Sequence, residues 1–286
     1  VRHHIVHNHS VIDSFEARGV IFIENLSDVP NGKTVIFSAH GTAPEVYEEA
    51  KRRSLTVIDA TCPLVTKVHR HALRFTNRDV QTILIGHRGH QELVGTSGYV
   101  DPKYLHIIEN EDDIEQLDID ANAPIGYLTQ TTLSVNDTRS IIEKLKQKFP
   151  NIQGSKKADI CYATQNRQDA VSELAAFCEV IIVCGSPHSS NSNRLKETAK
   201  NLGLPSYIID TEKELDINWV KGKKKVGITS GASVPRYIVD GVVSKIKEVY
   251  QEAKVFQKES LEKGIHFKLP RELRDSQMLS VGDCIE

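Results

Sequence analysis

The sequence predicts an α/β protein built from repeated units with small parallel sheets, and three observations predict it. Strand-like and helix-like segments alternate along the chain, the pattern of parallel βα units that carry functional loops at their strand ends. Cys62, in Asp59-Ala60-Thr61-Cys62-Pro63-Leu64-Val65, has a counterpart 99 positions later in Cys161. The segments downstream of the two cysteines also run in step. Twenty-four positions on, Gly86 and Gly185 end the apolar runs Thr82-Ile83-Leu84-Ile85 and Val180-Ile181-Ile182-Val183-Cys184. Twenty-eight positions on stand His90 and Ser189, in the loops His87-Arg88-Gly89-His90 and Ser186-Pro187-His188-Ser189-Ser190-Asn191. A third strand then ends in Thr129-Gln130-Thr131-Thr132 in one copy and in Thr229-Ser230-Gly231-Ala232-Ser233 in the other.

The opening of the chain reads as the rest of a third copy. Val1 to Asn8 carries His3, His4 and His7, and Val35-Ile36-Phe37 runs into the polar loop Ser38-Ala39-His40-Gly41. With His7 as the counterpart of His90, a matching cysteine is expected 28 positions upstream, before residue 1, and the chain is expected to begin after its own first cysteine.

Local signals place each element in turn. Thr42-Ala43-Pro44-Glu45 is a capping-box sequence with proline in the first turn, and predicts a helix running to Lys51-Arg52-Arg53. A strand over Leu55 to Ala60 delivers Cys62, and a helix begins at Pro63. Strands are expected over 82–85, 104–109 and 125–128. A helix opening at Ser134 to Asp137 carries Ile141, Ile142 and Leu145 on one face and stops at Pro150. The next unit repeats the order: a helix around 171–177, a strand over 180–184, a helix over 190–202 and strands over 206–209 and 225–229. Its last helix sets Ile238, Val242, Ile246 and Val249 in one apolar stripe. The expected units are 1–61, 62–160 and 161–256, with a tail at 257–286 that packs on another unit.

Composition narrows the function classes. The 286 residues are 39% hydrophobic and 26% charged, ordinary for a globular protein of more than one compact unit. Net charge −2 gives no basic field for nucleic acid, and Lys221-Gly222-Lys223-Lys224-Lys225 reads as a solvated turn before a strand. No apolar run approaches the length of a membrane span. Five cysteines, with no C-x-x-C pair among them, make neither a disulfide framework nor a local zinc site, and point to a reducing, cytoplasmic compartment.

Taken in order, the motifs Val6-His7-Asn8, Ser38-Ala39-His40-Gly41, Asp59-Ala60-Thr61-Cys62-Pro63, Gly89-His90-Gln91-Glu92, Thr129-Gln130-Thr131-Thr132, Cys161-Tyr162-Ala163-Thr164, Ser189-Ser190-Asn191-Ser192-Asn193 and Gly231-Ala232-Ser233 resemble those of the 4-hydroxy-3-methylbut-2-enyl diphosphate reductase (IspH/LytB) family. The resemblance spans nearly the whole chain. It implies three pseudo-threefold related α/β lobes around a central 4Fe-4S cluster. Cys62 and Cys161 match the second and third cluster ligands, and the first is expected upstream of residue 1. Gln91 departs from the proline usual after the histidine of this motif.

The implied chemistry accounts for these residue types. Three thiolates would leave one iron open to act as a Lewis acid toward the hydroxyl of an allylic alcohol diphosphate, which is reduced to isopentenyl and dimethylallyl diphosphate. Glu92 is the expected proton donor, because an enclosed carboxyl has its pKa raised, and Thr131 is expected to orient it. For the diphosphate, His7, His40, His90, Thr131, Thr132, Ser189, Ser190, Asn191 and Ser233 offer imidazole, hydroxyl and amide groups. Helix N-termini add backbone donors. At about 1.5–3 kcal/mol per hydrogen bond to a charged group, a handful suffices without lysine or arginine. A ferredoxin or flavodoxin is the implied electron donor.

Each residue also has an ordinary structural reading. A cysteine at a strand end is commonly a small buried hydrophobe, the reading that fits Cys178 and Cys184, while Cys284 reads as a free terminal thiol. His9, His69, His71, His106 and His266 read as surface or packing residues, and His3, His4, His87 and His188 are undecided. Hydroxyl pairs such as Ser189-Ser190 serve as helix caps. Two other classes compete: a zinc hydrolase using His87, His90 and Glu92, and a non-catalytic diphosphate-binding protein with two of the three cysteines.

Overall fold

The computed structural model describes residues 1–155, 159–258 and 267–274. It contains helices α1 (His9–Glu16), α2 (Pro44–Arg52), α3 (Pro63–Thr76), α4 (Gln91–Ser97), α5 (Asp112–Glu115), α6 (Val135–Lys148), α7 (Tyr162–Ala175), α8 (Ser190–Asn201), α9 (Arg236–Val249) and α10 (Arg271–Arg274). The strands are β1 (Thr34–Phe37), β2 (Thr56–Asp59), β3 (Gln81–Ile85), β4 (Leu105–Ile108), β5 (Ile125–Thr129), β6 (Val180–Cys184), β7 (Ser206–Ile209) and β8 (Val226–Ser230).

Three small parallel sheets organise the chain. Two have the same plan, with the first strand of the unit in the middle: β4-β3-β5 and β7-β6-β8. The third pairs β1 with β2 in parallel, and Arg2 forms parallel bridges to both Ile23 and Phe37. Residues around Arg2 thus occupy the middle position that β3 and β6 hold elsewhere, flanked by Ile23 and β1. The pairing of β1 with β2 has its own echo in the parallel bridge between Gly126 of β5 and Gln153. Arg2 and its neighbours, with Ile23, β1 and β2, therefore form a sheet of the same design.

Both faces of the two larger sheets are covered, which is why their central strands are continuous apolar runs rather than alternating ones. Ile83 and Ile85 face the cluster that holds Ile141 and Leu145 of α6, while Leu84 faces Val68 and Ala72 of α3. In the third unit Val180, Ile182 and Cys184 pack with Ile238, Val242 and Ile246 of α9, whereas Ile181 and Val183 pack with Val171 of α7 and with Leu195 and Ala199 of α8. The period of two along each strand sorts its side chains between two helical layers.

Most boundaries fall where expected, with four differences. The N-cap of α2 is Ala43, without a side-chain bond, and Thr42 is buried; Pro44 at the first helical position opens this helix rather than a capping box. The helix α7 starts at Tyr162, directly after Cys161, well before 171. Val249 ends α9 exposed, beyond the last turn that the sheet covers. The helices α1, α4, α5 and α10 have no counterpart among the elements expected from sequence. Cys184 is fully buried and Cys178 partly buried, in keeping with core roles, while His266 and Cys284 lie outside the described residues. Among the described residues no helix is long and apolar enough to cross a membrane.

Candidate active site

The polar loops all lie at the carboxyl ends of parallel strands, where open α/β sheets place their sites. Cys62 and Cys161 are each the N-cap of a helix, α3 and α7, with nearly the same backbone: φ −55° and ψ 131° for the first, φ −61° and ψ 132° for the second. Each cysteine is also pinned to the final loop of the preceding unit. The Cys62 N–H donates to the carbonyl of Ala39 (3.0 Å), and the Cys161 N–H to that of Thr131 (2.9 Å). Ahead of Cys62 the turn is fixed by Asp59, whose carboxylate accepts from the Thr61 N–H (3.0 Å) and from the Tyr47 hydroxyl (2.8 Å). Ahead of Cys161, buried Asp159 accepts from Lys67 Nζ of α3 (3.2 Å), so the two cysteine-bearing segments are tied to each other.

Neither cysteine side chain makes a capping hydrogen bond. Burial pushes the Cys62 thiol up, and the charges of Cys161 and Glu92 push the same way; the amides of Leu64 and Val65 face the sulfur and favour its thiolate. Two partly exposed sulfurs at helix N-termini, close enough to feel each other's charge, suit a shared thiolate-bound group. The residues present therefore fit the two cluster ligands expected of them.

Glu92 sits in the first turn of α4, 3% exposed. Its two oxygens are held by one residue: Oε1 accepts from the Thr131 N–H (2.6 Å) and Oε2 from Thr131 Oγ1 (2.9 Å). Burial raises its pKa to about 7 against the pull of those two bonds, and the nearby charge of Asp159 adds to the rise. A carboxyl so placed holds a proton near neutrality and has one orientation.

Three imidazoles from separate loops converge. The ring centres of His7 and His40 are 4.5 Å apart, those of His40 and His90 6.0 Å, and those of His7 and His90 6.1 Å. Burial, then repulsion from His7 and other neighbouring imidazoles, lowers the pKa of His40 to about 3 and of His90 to about 4, while burial, then the charges of His4 and His188, lowers that of His7. His90 caps α4 by accepting the Glu92 N–H on Nδ1 (3.2 Å), which assigns its proton to Nε2. Ser38 Oγ meets Nδ1 of His40 at 3.3 Å. The loop beyond His40 is moulded on α3: Gly41 has φ +89°, and a Cβ there would lie 2.5 Å from the ring of buried His69.

The third unit supplies hydroxyls and an amide. Ser189 caps α8 by accepting the Ser192 N–H (3.3 Å), and Ser190 Oγ meets Thr132 Oγ1 at 3.0 Å across the boundary between second and third units. Gln130 Nε2 donates to Thr132 Oγ1 (2.9 Å) and reaches Ser190 Oγ (3.4 Å). Asn191 is 7% exposed, and neither its amide nitrogen nor its oxygen has a partner. Gly185 and Gly231 admit the start of α8 to the sheet edge, since a Cβ on either would fall 2.3 Å from Ser192 Oγ. Ser233 stands in the loop after β8, half-buried.

The sequence pairing of His7 with His90 is off by one residue. The caps are Asn8 for α1, His90 for α4 and Ser189 for α8, so Asn8, 1% exposed and accepting the Val11 N–H (2.9 Å), is the structural counterpart. His87, His90 and Glu92 do not converge as a zinc hydrolase needs. Glu92 is taken by Thr131, His90 Nδ1 by a backbone amide, and His87 Nδ1 faces Glu109 at 3.9 Å; among the described residues no group of three His, Cys, Asp or Glu side chains is set to hold a metal ion. Two histidines outside the expected set come to the site's edge: His188, whose charge reaches His7, and His9, whose ring centre lies 6.0 Å from that of His188. Their signal in the sequence is adjacency, His9 two residues past His7 and His188 just before Ser189.

A family model described as LytB protein matches residues 1–247. The chain is 47% identical over 277 residues to a 4-hydroxy-3-methylbut-2-enyl diphosphate reductase of Pseudomonas aeruginosa, covering 96% of this chain and 88% of the relative. It is 49% identical over 280 residues to one of Glaesserella parasuis, covering 97% and 89%. Among solved structures it is similar to the E-1-hydroxy-2-methyl-but-2-enyl-4-diphosphate reductase from Plasmodium falciparum, with TM-score 0.89 and 38% identity over 95% of this chain and 85% of that one. A second similar structure is described as the terminal enzyme of the non-mevalonate pathway, with TM-score 0.60 and 32% identity over 86% and 87% of the two chains.

Proposed function

The chain belongs to the LytB family, and from that membership together with the buried, Thr131-clamped Glu92 we propose that it removes the hydroxyl of 4-hydroxy-3-methylbut-2-enyl diphosphate by reduction, giving isopentenyl and dimethylallyl diphosphate. It is an oxidoreductase of the terminal step of the non-mevalonate route. The balance is two electrons and two protons in, one C–O bond broken and one C–H bond made, with the oxygen leaving as water. Cys62 and Cys161 would supply two of the thiolates that hold a 4Fe-4S cluster. When bound, that cluster supplies the two electrons and a Lewis-acidic iron for the hydroxyl. The lobes are divided at 61/62, 160/161 and 256/257, so that the second and third each open on their cysteine.

The remaining work is done by side chains. Glu92, protonated near pH 7, delivers a proton to the departing oxygen, and Thr131 holds the carboxyl in one orientation while offering its hydroxyl to the same oxygen. His7, His40 and His90 receive one end of the diphosphate, and Ser189, Ser190, Asn191 and Ser233 the other, with Thr132 joined to Ser190. The unpartnered amide of Asn191 supports this reading, since a buried amide with no partner is costly unless a ligand completes it. Electrons are assigned to a ferredoxin or flavodoxin, and the reaction to a reducing cytoplasm, in which Cys62 and Cys161 are not drawn into a disulfide.

The three histidines set a pH dependence. Free, they are held neutral at pH 7, with His40 near 3 and His90 near 4. A diphosphate among them raises those values, so the complex holds more protons than its parts. Affinity therefore rises as pH falls from neutrality toward the free values, and weakens as pH climbs through the raised ones. Calorimetry of inorganic diphosphate binding at pH 7 is expected to give an enthalpy that changes with buffer ionisation enthalpy, in the sense of proton uptake. An enthalpy independent of buffer would remove the histidines from the diphosphate end.

The function is tested on the full-length chain prepared without oxygen, by iron and acid-labile sulfide analysis and by product analysis with a chemically reduced donor. About four irons per chain and both isomeric diphosphates are expected. A full-length chain that binds diphosphate but no iron would overturn the reductase reading.

A further inference from the structure

One contact between the first and third lobes lies outside the groups that hold the cluster and the diphosphate. His9, the first residue of α1, meets the carboxylate of Asp210 through Nδ1, although 201 positions separate them. Asp210 comes directly after β7 and is 5% exposed, and its other oxygen, Oδ1, is buried with no hydrogen-bond partner. Its own N–H donates to Glu214 Oε2 at 3.1 Å, so Glu214 brings a second carboxylate beside it rather than a cation. A buried carboxylate in that setting depends on the donor it has. The His9 ring also meets His188 edge-on, and beside it Ser10 Oγ and the Tyr237 hydroxyl are 2.6 Å apart, joining α1 to α9. His7 lies two residues before His9, and Ser189 one residue after His188.

We propose that His9 and Asp210 are a positioning pair that fixes how the third lobe's Ser186–Asn191 loop is held against the first lobe's His7, and thereby sets affinity for the diphosphate. The proposal rests on the reading that His7 and Ser189 hold that group. Nothing in the pair touches the reacting atoms. The side chain of His9 is 54% exposed, so its removal opens no core cavity, and its effect is confined to the contact it makes.

The test uses the full-length, cluster-loaded chain with inorganic diphosphate as the probe, alongside kcat and KM for the allylic diphosphate. His9→Ala is expected to weaken diphosphate binding and raise KM about tenfold, the scale of one lost hydrogen bond to a charged group, while kcat and iron content stay within about twofold. His9→Asn, whose amide nitrogen stands near the place of Nδ1, is expected to restore most of that loss. The double variant with Asp210→Ala is expected to bind no more weakly than the weaker single variant, because both remove one interaction. Unchanged binding in His9→Ala, a fall in kcat with no change in KM, or a His9→Asn variant as weak as His9→Ala would each overturn the pair. A parent that binds diphosphate but gives no dehydroxylated product would defeat the reductase reading alone, since the binding comparison still decides the role of His9.

Discussion

Glu92→Gln is expected to leave cluster content and diphosphate affinity unchanged while turnover falls by about two to four orders of magnitude, the range general acid catalysis supplies. Glutamine is nearly the same shape, and both clamping bonds survive: its oxygen accepts the Thr131 N–H, and its nitrogen can face the Thr131 hydroxyl, which then acts as acceptor. The proton is lost. With burial raising its pKa to about 7, the parent carboxyl is protonated below neutrality and releases its proton above it. An acid that must be protonated works below about pH 7, so activity falls as pH rises through that value. At saturating substrate, where the histidines' effect on affinity drops out, the parent is therefore expected to show an alkaline limb in kcat with a midpoint near 7, and the residual kcat of Glu92→Gln is expected to lack it. Near-parent turnover in the variant, or an unchanged limb, would remove Glu92 from the acid role.

How far the site is legible in the sequence depends on the range of the interactions involved. Val180 to Cys184 is readable because a strand covered on both faces shows as an unbroken apolar run, and a repeat 99 positions long can be checked at several points. Cys62 and Cys161 stand out for the same reason, each placed after a polar turn and before a helix. The cap equivalence of Asn8, His90 and Ser189 is one residue out in the first copy. Histidine, asparagine and serine can all accept an amide proton at an N-cap, so residue type alone does not align them. The helix α1 is hidden by the three histidines ahead of it, although Asn8 is a standard start signal. Thr42 reads as a cap because Glu45 lies three residues on, yet proline at 44 already fixes where α2 begins. The His9 contact to Asp210 belongs to a different category: it joins residues 201 positions apart through the packing of two lobes, and no local pattern announces it.

Cys62→Ser is expected to separate the ligand role of this residue from its place in the fold. Serine is among the best helix N-caps, and cysteine, whose sulfur is a weak acceptor, is not. Cys62 occupies the N-cap of α3 without a side-chain capping bond, and the amides of Leu64 and Val65 face its sulfur. A hydroxyl there can accept the amide of Val65, so the iron-free variant is expected to melt no lower than the iron-free parent, with a gain on the scale of about 0.5–2 kcal/mol. The same change removes one thiolate, and the hard, high-pKa hydroxyl does not replace it toward iron and sulfide. Iron and the visible absorption of the cluster are therefore expected to be lost or to bleach rapidly, and turnover to fall below detection. A position where local helix chemistry prefers serine but the chain carries cysteine, twice and in the same backbone conformation, is the kind of local conflict that marks a functional site. The control is Cys184, fully buried on β6 with a pKa pushed up to about 12 by burial. Cys184→Ser is expected to do the reverse, lowering the melting temperature by burying a hydroxyl while leaving iron content intact. Full iron retention in Cys62→Ser would refute its assignment as a ligand, and loss of fold in its iron-free form would show that the cysteine serves α3 rather than the cluster.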